Sequence, residues 1–134
     1  MWNIIRNYVI SFIVFFIIDI LWLGLIAKNI YNKYLGYIIK DNFNWIAAII
    51  FYIIFIIGIQ FFVLNPAIEK QSVLYAFLVG GIFGFITYST YDLTNLATIK
   101  QWPMSITIID IIWGSILSSL TSGISYLIIN FFNK

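Results

Sequence analysis

The sequence predicts an all-α integral membrane protein, a four-helix bundle, and its composition and four long apolar runs carry that prediction. Of its 134 residues, 63% are apolar and 9% are charged, whereas a soluble domain is about 45–50% apolar and about 25% charged. Four spans of about 20 residues, the length that crosses the hydrocarbon core, would use most of the chain. We therefore expect a single transmembrane domain over residues 1–134, in contact with the lipid bilayer, and no separate soluble domain.

The first apolar run, residues 8–27, is predicted to be a retained span and not a signal peptide. It is too long for the apolar core of a signal peptide, contains Asp19 and lacks a small-x-small cleavage pattern. The polar connection over 28–44 follows, and its tyrosines are spaced as on a short interfacial helix: Tyr31, Tyr34 and Tyr37.

The second span, residues 45–64, begins with a Trp suited to the membrane interface. We expect it to end at Asn65-Pro66, because the residue before a proline is disfavoured in a helix. A tight turn leads to the third span over 73–91.

The polar stretch over 92–105 leads into the fourth span, residues 106–129. Pro103 suits the first turn of that helix, where the missing N–H has little cost.

Four spans place both termini on one face, side A, and the 28–44 and 92–105 connections on the other, side B. Side A carries Arg6, Lys70 and Lys134, and side B carries Lys28, Lys33, Lys40 and Lys100. Because basic residues are enriched in cytoplasmic loops, this distribution favours a cytoplasmic side B.

The chain contains neither Cys nor His. The missing Cys excludes disulfides and thiolate chemistry, and the missing His removes the usual metal ligand and the usual proton shuttle near neutral pH. The sequence therefore predicts no metal site and no cofactor. The formal net charge of +2 is typical of Lys at the ends of spans, so no nucleic-acid partner is expected.

Asp19, near the middle of the first span, is the most informative residue. A charged side chain there costs at least about 2.5–3.5 kcal/mol on insertion scales, and an ionisable group inside a membrane is by default a functional site. The alternative is a protonated Asp that hydrogen-bonds a neighbouring helix and fixes the packing.

The pattern Asp-x-x-Trp occurs twice, at Asp19/Trp22 and at Asp110/Trp113. A spacing of three residues puts both side chains on one face of a helix. Because the first and fourth spans are predicted antiparallel, both motifs fall in the side-B half of the membrane.

The third span supplies further polar groups, because Thr87, Tyr88, Tyr91 and Asn95 fall on one helical face with Asp92 at its edge. The Gly80-x-x-x-Gly84 pair indicates close approach of a neighbouring helix. We infer that this face packs against a small, polar face of the fourth span, formed by Thr107, Asp110, Gly114, Thr121 and Ser125.

These patterns predict one pocket opening to side B. Its candidate residues are Asp19, Trp22, Tyr88, Tyr91, Asp92, Asn95, Asp110 and Trp113. An aromatic belt at the interface would explain Tyr91 and Trp102 equally well, but not Asp19. Lys100 would either pair with a carboxylate or phosphate at this pocket or extend to the headgroups.

The quoted motifs resemble a known family. They are Tyr91-Asp92-Leu93-Thr94-Asn95, Lys100, Trp102-Pro103, Asp110-x-x-Trp113-Gly114 and Asp19-x-x-Trp22-x-Gly24. The chain is similar over nearly its whole length to small bacterial four-span proteins described only as a predicted membrane protein of unknown function. The resemblance implies a four-span fold and a multi-pass location in a bacterial inner membrane, and it brings no activity, substrate or catalytic residue.

Three functions fit these residues. The first is transport or binding of a small molecule or lipid, with the Asp residues as proton or cation sites; a transport path would require a homo-oligomer, because four spans make a thin wall. The second is an accessory subunit of a membrane complex. The third is a lipid-modifying enzyme, in which Asp19 and Asp110 divide acid and base roles or hold Mg²⁺.

Overall fold

The computed structural model describes residues 2–38 and 44–133. These residues form four long helices, which are α1 (Trp2–Leu35), α2 (Trp45–Lys70), α3 (Val73–Thr98) and α4 (Met104–Phe132). Each helix is long and apolar enough to cross a membrane, with a mean hydropathy between 1.5 and 2.8, and no strand occurs within the described ranges. The predicted all-α, four-span membrane fold is confirmed. Lys40, Asp41 and Lys134 lie outside the described residues.

The helices pack as neighbours in chain order, and α4 closes the bundle against α1. The Phe15 and Phe55 rings of α1 and α2 have centroids 5.3 Å apart, and those of Phe55 and Phe83 join α2 to α3 at 5.4 Å. Arg6 at the start of α1 donates to the Asn133 side chain, just beyond α4, at 2.6 Å. Successive helices are therefore antiparallel.

Small residues bring α3 and α4 into close contact. A Cβ added to Gly80 would lie 2.6 Å from the Ser122 hydroxyl oxygen, and one added to Gly84 would lie 2.5 Å from that of Ser118. Both distances are too short for van der Waals contact, so only glycine fits these two positions. The prediction that the third and fourth spans pack through their small faces is confirmed.

Polarity is distributed inside out relative to a soluble protein. The buried side chains of the bundle include the hydroxyl groups of Ser11, Thr107, Ser118, Thr121, Ser122 and Ser125. The exposed ones include Ile13, Ile17, Ile20, Ile46, Ile54, Phe85 and Ile112. Small and polar residues between helices with apolar residues outside are expected where lipid is the solvent.

The first helix does not end at the predicted polar connection but continues to Leu35. It changes to a π-helical turn at Leu23–Ala27 and then returns to α-helix over Lys28–Leu35. Tyr31 follows Asp19 by twelve positions. In a regular α-helix this spacing would place Tyr31 roughly a third of a turn away from the face that carries Asp19. The wider turn inserts one residue, so Tyr31 lies on nearly the same face as Asp19.

The second helix also continues through the predicted stop at Asn65-Pro66 and ends at Lys70. A second π-helical turn, Gln60–Leu64, precedes the proline, and the Asn65 N–H donates to the Gln60 carbonyl. A proline inside an α-helix removes one N–H donor and its ring clashes with the preceding turn. We attribute the continuation to the wider turn, which relieves this clash, with a Gln60–Asn65 side-chain hydrogen bond of 2.9 Å beside it.

Candidate functional site

Three carboxyl groups lie buried in the side-B half of the bundle. Asp19 of α1 and Asp110 of α4 are each 9% exposed, and Asp92 of α3 is 0% exposed. Asp92 and Asp110 lie on neighbouring helices because the end of α3 is adjacent to the beginning of α4. No ion pair involves these groups in the part of the chain that the structure describes.

The two Asp-x-x-Trp motifs meet at the contact between α1 and α4. The indole rings of Trp22 and Trp113 are stacked, with centroids 4.3 Å apart and planes inclined by 10°. The Trp113 side chain also lies beside the Asp19 carboxyl group. The motifs therefore interlock, with the ring of the second next to the acid of the first.

Each of these two acids receives a tyrosine hydroxyl from a distant part of the chain. The Tyr52 hydroxyl of α2 donates to Asp19 Oδ2 at 2.9 Å. The Tyr31 hydroxyl donates to Asp110 Oδ1 at 2.6 Å, and the π-helical turn of α1 makes this bond geometrically accessible. Hydrogen bonds of this kind to a carboxylate are about twice as strong as neutral ones.

A cavity of about 230 Å³ lies between these groups, and we call it the central cavity. It is lined by Asp19, Trp22, Leu23, Tyr31, Ala48, Phe51, Tyr52, Tyr88, Asp110 and Trp113. Leu23 of α1 and Phe51 of α2 are exposed, so the cavity opens between these two helices. Its inner wall consists of two acids and a set of aromatic rings.

Two further cavities adjoin the central one. The apolar cavity, about 290 Å³, is lined by Phe51, Phe55, Thr87, Tyr88, Tyr91 and Asp110. The Asp92 cavity, about 250 Å³, is lined by Tyr31, Leu35, Tyr91, Asp92, Trp102, Ile106 and Asp110. Asp110 lines all three cavities, so its carboxyl group is the point where they meet.

None of the described residues that line the three cavities is basic. Lys28, Lys33 and Lys100 are exposed at the side-B end, and the Lys33 ammonium lies 5.3 Å from the centroid of the Tyr34 ring. The predicted alternative in which Lys100 closes the pocket therefore has no support in the lining. Among the described residues, no group of three or more His, Cys, Asp or Glu is arranged to hold a metal ion.

The structure brings seven of the eight predicted pocket residues to these cavities. Asp19, Trp22, Tyr88, Asp110 and Trp113 line the central cavity, and Tyr91 and Asp92 line the Asp92 cavity. Asn95 lines none of the three, and its backbone carbonyl accepts the Ile99 N–H at 2.8 Å at the end of α3.

Sequence reasoning did not include Tyr31, Tyr52 or Phe51 among the pocket residues, and it offered an interface belt as an alternative explanation of Trp102. Trp102 is only 8% exposed, and its indole N–H donates to the Thr107 hydroxyl at 3.1 Å. It lines the Asp92 cavity, and its burial favours a place in the pocket over the belt. One feature of the sequence could have indicated Tyr31 and Tyr52. A buried acid needs a hydrogen-bond donor, and tyrosine hydroxyls are donors that this chain offers.

The comparisons with known proteins agree with this architecture. The family model described as "Predicted membrane protein (DUF2177)" matches residues 4–127, which includes α1 from its third residue through most of α4. No curated protein and no solved structure matches the chain.

Proposed function

The chain belongs to the DUF2177 family of predicted membrane proteins, and we propose that within the membrane it binds a small organic cation in the central cavity. One observation carries the proposal. Two carboxyl groups and a set of aromatic rings converge on one cavity, and none of its described lining residues is basic. An acid combined with aromatic faces is the chemistry that recognises an ammonium group, because the cation is attracted to both the carboxylate and the ring quadrupole.

The aromatic part of the lining supports an organic cation over a bare metal ion. Trp22, Trp113, Tyr31, Tyr52 and Tyr88 surround Asp19 and Asp110. Cation–π contacts contribute about 0.5–1 kcal/mol at exposed sites and about 2 kcal/mol where the pair is desolvated, with Trp the best partner. A volume of about 230 Å³ lies below the roughly 300–1,000 Å³ of drug-sized sites, so the ligand is small.

The charge balance supports the same class of ligand. Burying a carboxylate without a positive partner is costly, and the donors that Asp19 and Asp110 have among the described side chains are neutral. They are tyrosine hydroxyls and, at Asp19, the Trp113 side chain. A bound cation would supply the missing opposite charge to both acids at once. An anionic ligand would add to the unfavourable charge, so we do not expect phosphate or carboxylate ligands here.

The position of the cavity supports a role in moving the cation across the bilayer. The site lies in the side-B half, whose connections we infer to be cytoplasmic from the positions of Lys28, Lys33 and Lys100. The opening between α1 and α2 gives a ligand access from that side or from the lipid phase. A transport path would require association of copies of the chain, because four helices make a thin wall.

The experiment uses two ligands of equal shape, tert-butylammonium and the neutral tert-butanol, titrated calorimetrically into the protein in lipid nanodiscs. We expect tert-butylammonium to bind and tert-butanol not to. Removing one ionised acid with Asp19→Asn removes a contact of about 1.5–3 kcal/mol, so the cation should bind roughly 10–100-fold more weakly. Glu69→Gln is the matched control, because Glu69 is exposed at the end of α2.

The proposal fails if tert-butanol binds as well as the cation, or if Asp19→Asn and Glu69→Gln have equal effects. Equal binding would make the cavity a simple apolar pocket. Equal variant effects would place the cation at the membrane surface.

A further inference from the structure

We propose that Asp92 and Asp110 share one proton, and that binding of a cation in the central cavity releases it, so that the protein exchanges a cation for a proton. This inference rests on the cation site proposed above. It adds a second site, the Asp92–Asp110 pair, and it states that cation binding in the central cavity releases a proton from that pair.

Asp92 is the most deeply buried acid among the described residues. Its side chain is 0% exposed, and neither carboxyl oxygen receives a hydrogen-bond donor from the described part of the chain. A buried ionised carboxylate with no donor and no cation would be strongly unfavourable. The absence of a donor therefore indicates that the group has a partner of another kind, and a proton is the smallest one.

Asp110 provides the other half of the pair. The Asp92 and Asp110 side chains line the same cavity, and their carboxyl groups are close enough to interact. Two buried neighbouring carboxyl groups are unfavourable when both are ionised without a counter-charge, and they are stable when they share one proton. Tyr31 donates to Asp110 Oδ1, and we assign the shared proton to the other oxygen of Asp110.

Within the described ranges, no positively charged side chain lines the cavities around the pair. The titratable groups that face it are Tyr31 and Asp19 from α1 and Tyr88 and Tyr91 from α3, while Tyr52 of α2 faces Asp19. The described residues that line the Asp92 cavity include no Lys or Arg. The indole N–H of Trp102 in the same cavity is occupied by the Thr107 hydroxyl.

Coupling follows because Asp110 belongs to both sites. It lines the central cavity and also the Asp92 cavity. When a cation of charge +1 enters the central cavity, it stabilises the ionised form of Asp110. The O–H bond of the shared carboxyl group then breaks, its electron pair stays on oxygen, and the proton passes to water on side B. The net charge of the two sites together is unchanged by the exchange.

The test counts protons by calorimetry. Tert-butylammonium is titrated into the whole protein in nanodiscs at one pH, in phosphate and in Tris, whose ionisation enthalpies differ. We expect the observed enthalpies to differ by an amount equal to about one proton released per cation bound. In Asp92→Asn the amide can donate to Asp110 and replace the proton, so the count should fall to zero. Glu69→Gln should match the wild type.

A second measurement needs no variant and covers the case in which Asp92→Asn does not fold. Over the pH range in which the pair holds its proton, the wild-type affinity for tert-butylammonium should rise about tenfold per pH unit, as the release of one proton requires. The proton pair would be overturned by an affinity that does not depend on pH, by equal enthalpies in the two buffers, or by a dependence on Na⁺ in place of pH. The cation site would then still hold. An absence of any binding heat would overturn both proposals.

Discussion

The indole rings of Trp22 and Trp113 lie in parallel contact, with centroids 4.3 Å apart, across the interface between α1 and α4. Each ring is one helical turn from an acid of its own helix, Asp19 or Asp110. The stack therefore fixes the separation of the two carboxyl groups that line the central cavity. It also gives the cavity an aromatic wall against which a cation can rest.

Replacing Trp113 with Leu should weaken cation binding. The substitution removes one aromatic wall and the side chain beside Asp19, so we expect a loss of about 0.5–2 kcal/mol, or roughly 2–30-fold in affinity. Calorimetric titration with tert-butylammonium measures it. Trp2→Leu is the control, because Trp2 is 71% exposed at the other end of the bundle; a comparable loss in that variant would argue against a local effect.

Removing either tyrosine hydroxyl should destabilise the fold. Tyr31→Phe removes the hydroxyl donor of Asp110, and Tyr52→Phe removes the hydroxyl donor of Asp19. The loss of a hydrogen bond to an ionised acid should cost about 1.5–3 kcal/mol in each variant. The free energy of unfolding in detergent measures the loss. Tyr34→Phe serves as the control, since its hydroxyl has no hydrogen bond among the described residues. If all three variants have the same stability, the two hydrogen bonds have no structural role.

Glycine is required at Gly84 but not at Gly24. In Gly84→Leu the new Cβ would lie 2.5 Å from the Ser118 hydroxyl oxygen, whereas at Gly24 nothing lies within 4 Å of an added Cβ. We expect Gly84→Leu to lower the free energy of unfolding by about 1–3 kcal/mol or more through overpacking, with Gly24→Leu close to the wild type. Thermal unfolding in detergent compares them, and equal midpoints would contradict the close α3–α4 packing.

The inferred orientation can be tested by labelling, because the chain has no Cys. A Cys introduced by Lys100→Cys lies between α3 and α4 on side B, and one introduced by Glu69→Cys lies at the end of α2 on side A. With side B cytoplasmic, a membrane-impermeant maleimide should label only the Glu69→Cys variant on intact cells and both variants after lysis. Labelling of the Lys100→Cys variant on intact cells would reverse the orientation.

Much of this arrangement could be predicted from spacing alone. Residues on a regular helix project to faces that are set by its 3.6 residues per turn. The sequence therefore predicted that Asp19/Trp22 and Asp110/Trp113 lie at a similar depth, and that Gly84 packs against a neighbouring helix. The interlocked motifs required only that the first and last helices be antiparallel neighbours.

The position of Tyr31 and the continuation of α2 could not be predicted, because two π-helical turns shift the register within the helices. Leu23–Ala27 rotates Tyr31 onto the face of Asp19, and Gln60–Leu64 carries α2 past Pro66. Both turns are invisible to a hydropathy pattern, since the residues within them remain apolar. The burial of Trp102 was also hidden, because its hydroxyl partner Thr107 and the adjoining cavity depend on tertiary contacts.

The cation site is tested most directly by locating the ligand. Intermolecular nuclear Overhauser effects between the methyl protons of tert-butylammonium and the ring protons of Trp22 and Trp113 report whether the ligand lies in the central cavity. The account predicts these effects in the wild type, their loss in Asp19→Asn and their retention in Glu69→Gln. Effects to the exposed Trp2 alone, or effects unchanged by Asp19→Asn, would contradict it.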